Sequence, residues 1–317
     1  MKKFFRYTLY AALALAALMA IGAGFVSVRG IPKYTPQKLA VTVEVTQPRI
    51  DRGLKLAGML CRNCHFSQTT NKLTGRNLAE VGTQFGVVNS LNITKDPEKG
   101  IGKWTDGDLI YFLRTGVRPD GQYVPPYMPK LPNISDEDLL SIIAFLRSDH
   151  PWVDANPTEL PPTQPSFLTK MLCQFAFKPF NYPTKPIANP DTTNTMEWGR
   201  YITLYQLECY ACHSKDFKTN NYLEPEKSEG FFAGGNMMLG LDGKAFPSRN
   251  LTPDETTGIG NWTEEQFIKA VKFGLRDGKP ALRYPMLPYS QLTDSEAKAI
   301  LTYLKTVPKI NHAVPEI

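Results

Sequence analysis

Apolar positions follow three patterns along the chain. From Leu9 to Val28 (LYAALALAALMAIGAGFVSV) twenty residues pass without a charge, and at about 1.5 Å of rise per residue such a run covers the ~30 Å of a bilayer core. Farther on, apolar side chains recur at helical spacing: Leu54, Leu56, Ala57 and Leu60; Leu139, Ile142, Ile143 and Leu146; Tyr201, Leu204, Tyr205 and Leu207; Ala297, Ile300, Leu301 and Leu304. Alternation of period two is confined to Leu39 to Thr46 (LAVTVEVT), where it predicts a strand-like stretch. The chain otherwise reads as all-α.

Helix starts are written as capping boxes, in which a hydroxyl satisfies the third backbone amide and the third side chain reaches back. The pairs are Thr105 with Asp108, Ser135 with Asp138, Thr263 with Gln266 and Thr293 with Glu296. Two of these boxes belong to an internal repeat: residues 92–118 align without gaps on residues 250–276, with eleven of 27 positions identical. The same offset carries Met128 onto Met286 and Phe145 onto Tyr303. Between the copies, residues 151–190 hold nine prolines, which forbid a continuous helix or a central strand. The expected organisation is a cytoplasmic tip and membrane segment over 1–30, one domain over 49–150, a Pro-rich linker over 151–190 and a second domain over 191–317. Inside the linker, Ser166 to Phe180 is apolar enough to pack on a neighbour or to touch the membrane surface, and packing is the expectation.

Charge refines the picture. The net +6 comes mostly from the first 48 residues, which carry +5, and residues 191–317 are at −2. No basic run with interleaved aromatics is present, so nucleic acid is not an expected partner. Lys2, Lys3 and Arg6 precede the apolar run and place the N-terminus in the cytoplasm, with everything after Arg29 exported. A cleaved signal peptide usually has a shorter apolar core and a small-x-small site, whereas Ser27-Val28-Arg29 is a poor one, so an uncleaved anchor is expected.

The chemistry lies in two short runs, Cys61-Arg62-Asn63-Cys64-His65 and Cys209-Tyr210-Ala211-Cys212-His213. Two thiols three residues apart meet the two vinyl groups of one haem as thioethers, and the adjoining histidine is held under the iron. A zinc ribbon would need four ligands per metal, yet the two pairs lie 148 residues apart in separate copies. A thioredoxin-type pair would follow a strand in a βαβ unit. A structural disulfide suits the compartment but does not call for the histidine. Two covalently bound haem c groups are therefore expected, held by Cys61 and Cys64 and by Cys209 and Cys212, with His65 and His213 on the irons.

Opposite each histidine, an unbranched thioether on a stiff loop suits the sixth position. Met128 in PPYMP and Met286 in YPMLP occupy equivalent places. Met237 and Met238, in the glycine-rich stretch AGGNMMLG, are the rivals for the second site, and Met59 is too close to its cysteines to wrap around. Cys173 is expected to be inert packing, and His150 and His312 to face solvent.

These runs resemble those of class I c-type cytochromes, and more narrowly the haem domains of membrane-associated multihaem cytochromes serving periplasmic alcohol, aldehyde and sugar-acid dehydrogenases. The residues that carry the resemblance are NLTPDETTGIGNWTEEQF, GLRDG and YPMLPY in the second copy and NITKDPEKGIGKWTDGDL, GVRPDG and PPYMP in the first. It covers residues 49–149 and 191–308 and implies two tandem helical haem domains whose first and last helices cross, with Gly53 and Gly199 admitting Phe145 and Tyr303. Trp104, Trp262, Arg118 and Arg276, repeated in both copies, would be partners for haem propionates.

The expected function is a dihaem cytochrome c on the periplasmic side of a bacterial inner membrane, relaying electrons between a redox-protein donor, such as a dehydrogenase or quinol-oxidising complex, and an acceptor such as a terminal oxidase. With His and Met on both irons no small-molecule substrate is expected, and the chain reads as a carrier more than as an enzyme. The alternative is a dihaem enzyme, peroxidase-like or thiosulfate-oxidising, favoured by ten extra residues between His213 and Asn250 relative to the first copy.

Overall fold

A computed structural model of the chain describes residues 2–315. Helix α1 (Lys2–Arg29) is long and apolar enough to cross a membrane, and its side chains from Lys3 to Phe25 are exposed. In the first repeat copy, α2 (Gln47–Leu60) runs into the single turn α3 (Arg62–His65), followed by α4 (Asp106–Thr115) and α5 (Asp136–Arg147). Helix α6 (Phe167–Phe175) lies between the copies. The second copy has α7 (Thr195–Tyr201), continued by a π-helical turn over Ile202–Gln206, then α8 (Cys209–His213), α9 (Glu264–Phe273) and α10 (Asp294–Leu304).

The dominant packing is α2 on α5 and α7 on α10. Each crossing turns on a glycine. A Cβ on Gly53 would stand 1.9 Å from the Ser141 carbonyl oxygen and 2.7 Å from Phe145 Cβ, and one on Gly199 would stand 1.8 Å from the Ala299 oxygen. The expected approach to Phe145 is thus direct, whereas the nearest atoms to Gly199 are backbone of Ala299 and Ile300, one turn before Tyr303. Leu56, Ile142, Ile143 and Phe145 in one pair, and Ile202, Leu204, Ile300 and Leu304 in the other, are fully or almost fully buried. Burial of side chains of this kind contributes about 1.5–3 kcal/mol each.

Both copies share one continuous apolar core, and polar contacts tie them together. Arg52 on α2 donates to both carboxylate oxygens of Asp138 and to Gln206 Oε1 at 2.8, 2.9 and 3.1 Å. Asn133 Nδ2 donates to the Tyr222 carbonyl at 2.8 Å. Three helix starts form the full capping box, at Thr105, Thr263 and Thr293. At Ser135 only half of it forms, because the Asp138 carboxylate is taken by Arg52 and Tyr201 instead of the Ser135 amide.

Other expectations also need correction. The chain is helix-dominated but includes two short antiparallel ribbons, β1 (Gly86–Val87) with β2 (Gln164–Pro165), and β3 (Met237–Leu239) with β4 (Ala245–Pro247). Residues 39–46 form no strand; they drape over the start of α4, where the Val43 amide donates to Asp106 Oδ2 and a Cβ on Gly107 would meet the Leu39 oxygen. The Pro-rich segment contains a nine-residue helix, α6, whose Ser166 cap accepts from the Thr169 amide. Its first residues wrap back on the first copy, since Asn92 Nδ2 donates to the carbonyls of Asn156 and Thr158. Finally, His150 is only partly open to solvent: half-buried, it packs between Phe145 and Trp152, at 5.3 and 5.2 Å, and accepts from the Trp152 amide. His312 is exposed.

Candidate haem sites

In the first copy the helix carrying Leu56 and Ala57 ends at Cys61, and the turn of α3 follows at once, with the Cys64 and His65 amides both donating to the Cys61 carbonyl at 3.2 and 2.9 Å. That turn sets Cys61, Cys64 and His65 on one short piece of backbone. The His65 ring is buried, and its Nδ1 lies 2.8 Å from the Leu91 carbonyl oxygen. A carbonyl can only accept, so Nδ1 carries the proton and Nε2 is left with a lone pair. Burial also lowers the tendency of His65 to protonate. A neutral imidazole with a free Nε2 is the form that ligates iron.

The second copy reproduces this frame. His213 is buried, its Nδ1 lies 2.8 Å from the Arg249 carbonyl oxygen, and burial again lowers its pKa. Among the described residues neither Nε2 has a hydrogen-bond partner. The two acceptors, Leu91 and Arg249, are equivalent repeat positions even though ten more residues separate His213 from its acceptor. The extra residues loop out as the β3–β4 ribbon, and Gly234, just before it, donates to the His213 carbonyl as Gly75 does to that of His65.

None of the five cysteines forms a disulfide. Burial pushes the thiols of Cys61 and Cys209 up to about 12 and that of Cys212 to about 11. A redox-active CxxC pair needs the opposite, a thiol held near or below neutrality. The donor set therefore fits thioether attachment and iron ligation, and it does not fit a dithiol oxidoreductase. Cys173 is wholly buried with Val117 and Tyr123, as packing requires.

The two methionine loops are tethered in register. The Leu131 amide donates to the Leu113 carbonyl and the Tyr289 amide to that of Val271, at 2.8 and 2.9 Å; the Met128 and Met286 amides close turns on Pro125 and Arg283. Met237 is 56% exposed and Met238 is half-buried in the ribbon. One feature of the first loop escapes sequence reading: the buried Lys130 ammonium donates to the carbonyls of Val124, Pro125 and Met128 at 2.6, 2.8 and 2.7 Å and stands over the Tyr123 ring. Its only advance signal is a lysine set between Pro129 and Leu131-Pro132. The equivalent position in the second copy is Pro288.

The repeated Trp and Arg residues diverge. The Arg118 guanidinium lies 6.0 Å from the Trp104 ring centre, and its Nε is buried without a partner. That unsatisfied donor suits an anion such as a propionate. Arg276 Nε instead donates to the Pro280 carbonyl at 3.0 Å, and Trp262 is half-buried. Four other buried polar atoms without partners lie in the second copy: Gln206 Nε2, Tyr210 Oη, Asn220 Oδ1 and Ser248 Oγ. Glu208, directly before Cys209, holds a left-handed backbone at φ 48° after the π-helical turn, and burial raises its carboxyl to about 8. The first copy has Leu60 at that place, at the end of a regular helix.

Comparison with known proteins agrees with this geometry. Residues 202–308 match the family model described as cytochrome c. The chain is 29% identical over 283 residues to the fructose dehydrogenase cytochrome subunit of Gluconobacter japonicus, an alignment covering 83% of this chain and 53% of that one. It is 28% identical over 275 residues to the cytochrome c subunit of the quinone-dependent alcohol dehydrogenase of Gluconobacter oxydans, covering 81% and 53%. It is 26% identical over 266 residues to a dihaem c-type cytochrome of Cereibacter sphaeroides, covering 79% and 82%. The chain thus spans about half the length of the first two relatives. Motif, geometry and comparison agree: residues 202–308 match a cytochrome c domain, and most of the chain is similar to cytochrome subunits of dehydrogenases and to a dihaem c-type cytochrome.

Proposed function

We propose that the chain is a membrane-anchored dihaem cytochrome c that relays single electrons on the periplasmic side of a bacterial inner membrane. The observation that carries this reading is the recurrence of one frame in both copies: a buried histidine after Cys-x-x-Cys, its Nδ1 bound to a loop carbonyl, and a tethered methionine loop in register. Bound haem c supplies a one-electron couple at its iron. Cys61 with Cys64, and Cys209 with Cys212, would hold the two groups covalently. His65 with Met128, and His213 with Met286, would take the axial positions and leave none for a substrate. Arg118 and Trp104, and less directly Arg276 and Trp262, would receive propionates.

Helix α1, with Lys2, Lys3 and Arg6 at its start, would anchor the chain. The similarity to cytochrome subunits named for fructose and alcohol dehydrogenases supports a dehydrogenase as the redox-protein donor. A terminal oxidase is a fitting acceptor. Haem content together with a potentiometric titration followed by optical spectra tests the proposal. Two haems per chain, both low-spin with methionine-to-ferric-iron charge-transfer bands, are expected; one haem per chain would overturn it.

A second reading, a dihaem enzyme, is favoured by two observations: the second copy has the extra β3–β4 ribbon and no counterpart of Lys130 behind Met286. A high-spin second haem that consumes peroxide would decide for it.

A further inference from the structure

Helix α6 is built the wrong way round for a helix that only packs on protein. At about 100° per residue, Phe167, Met171, Phe175, Leu168 and Leu172 fall within an arc of about 140°. Yet the face turned to the protein is the one with Thr169 and Cys173, the two buried residues of the helix. Most of the apolar arc is left outward: Phe175 is 75% exposed, Phe167 47% and Leu168 37%, with Met171 and Leu172 half-buried.

The place of α6 says what covers that arc. It packs against α1, and Gln174 Nε2 donates to the Gly30 carbonyl at 2.7 Å, at the end of the apolar run. Val26, 4% exposed, is the one buried residue among the described residues of α1, and it lies two positions inside the uncharged stretch. A helix that meets a spanning segment at this level stands at the boundary between headgroups and acyl chains. An amphipathic helix in that zone buries its apolar face about 5–10 Å deep.

We propose that α6 lies in the bilayer surface beside the anchor, with Phe167, Leu168 and Phe175 in lipid and Thr169 and Cys173 against the first repeat copy. This rests on the reading of α1 as a retained anchor. The first copy is then held to the membrane at two points, α1 and α6, and its orientation to the bilayer is set. The C-terminal copy, joined to the first through the shared core, is carried in the same orientation.

The test uses the full haem-loaded chain, alone in nanodiscs of phosphatidylethanolamine and phosphatidylglycerol. A photoreactive benzoylphenylalanine is placed in turn at Phe175, at Leu18 in α1 and at Leu241, which is exposed in the β3–β4 ribbon. Mass spectrometry identifies the adducts. Lipid adducts at 18 and 175, several-fold above those at 241, are expected. Adducts at 18 without 175 would overturn the surface helix and leave the anchor standing; no lipid adduct at 18 would overturn the anchor and with it this inference. Adducts at 175 to a second copy of the chain would assign the arc to self-association and equally overturn it.

Discussion

The Tyr201 hydroxyl donates to Asp138 Oδ2 at 2.7 Å, joining the first helix of the second repeat copy to the last helix of the first. The same hydroxyl lies 3.0 Å from Ser135 Oγ and accepts from the Ser135 amide at 3.0 Å. All of these groups are buried, so the two copies share an interface with a polar bond at its centre and one apolar core around it.

Tyr201→Phe removes that bond and leaves a carboxylate oxygen and an amide without this partner. A buried hydrogen bond to a charged group is worth about 1.5–3 kcal/mol. At about 2–4 °C per kcal/mol for a chain of this size, the thermal midpoint should fall by roughly 3–12 °C. Differential scanning calorimetry of the holoprotein reads it, and an unchanged midpoint would contradict the assigned role.

Gly53→Ala and Gly199→Ala place a methyl 1.9 and 1.8 Å from a backbone oxygen of the facing helix. Overpacking at such sites costs about 1–3 kcal/mol or more. Each variant should lower holoprotein yield, with Gly58→Ala as the comparison, since its Cβ meets only the flexible Gln291 side chain at 3.0 Å.

Lys130→Met leaves three buried carbonyls without their donor. The loop around Met128 should loosen, so, with Met128 and Met286 on the two irons as proposed, the methionine-to-iron charge-transfer band of the first haem weakens while that of the second persists. Magnetic circular dichroism in the near infrared separates the two, and partial recovery in Lys130→Arg would distinguish positioning from packing. An intact pair of bands in Lys130→Met would show that the clamp is dispensable.

Burial raises the Glu208 carboxyl to about 8, so the folded chain holds a proton that the unfolded chain releases near 4.5. Its contribution to stability is complete below the unfolded value and is lost as pH rises toward about 8. Lys130, drawn down to about 7 by burial, acts with the opposite sign, but only above that pH. Between the ordinary carboxyl range and neutrality Glu208 therefore acts alone of the two. Buried His65 and His213, whose protonation burial also disfavours, act with the opposite sign up to their ordinary 6.5, so the comparison is with the variant: Glu208→Gln should shift the pH slope of stability upward across this range in denaturant titrations at stepped pH.

Arg118→Gln removes the cation whose Nε is buried without a partner. If Arg118, which also faces Asp120 at 3.5 Å, stands beside the first haem as proposed, its charge favours the reduced form, so the first midpoint potential should drop, by ~30–60 mV if the one-electron equilibrium shifts up to about tenfold. Arg276→Gln should move the second potential less, because Arg276 Nε already donates to the Pro280 carbonyl.

Much of this was legible in the sequence because it is local. The spacing of Cys61, Cys64 and His65, the capping pairs, the uncharged run in α1 and the in-register repeat are all set within a few residues, where covalent geometry and helical period decide the outcome. The methionine loops could be placed through the repeat alone. Strand-like alternation at residues 39–46 misled, because a single stretch without a partner bonds to side chains of α4 rather than to another strand. The prolines of the linker hid α6, since between Pro165 and Pro179 there is room for nine helical residues.

The sequence by itself determined the chemistry offered at each site and the duplication of the helical unit. Only the tertiary structure decided which carbonyl orients each histidine, that Lys130 clamps one methionine loop and not the other, that Asp138 abandons its capping box for Tyr201 and Arg52, and that α6 turns its apolar arc away from the protein. Those outcomes pair residues far apart in the chain. They depend on how whole helices pack, and no local pattern encodes the partner that packing brings.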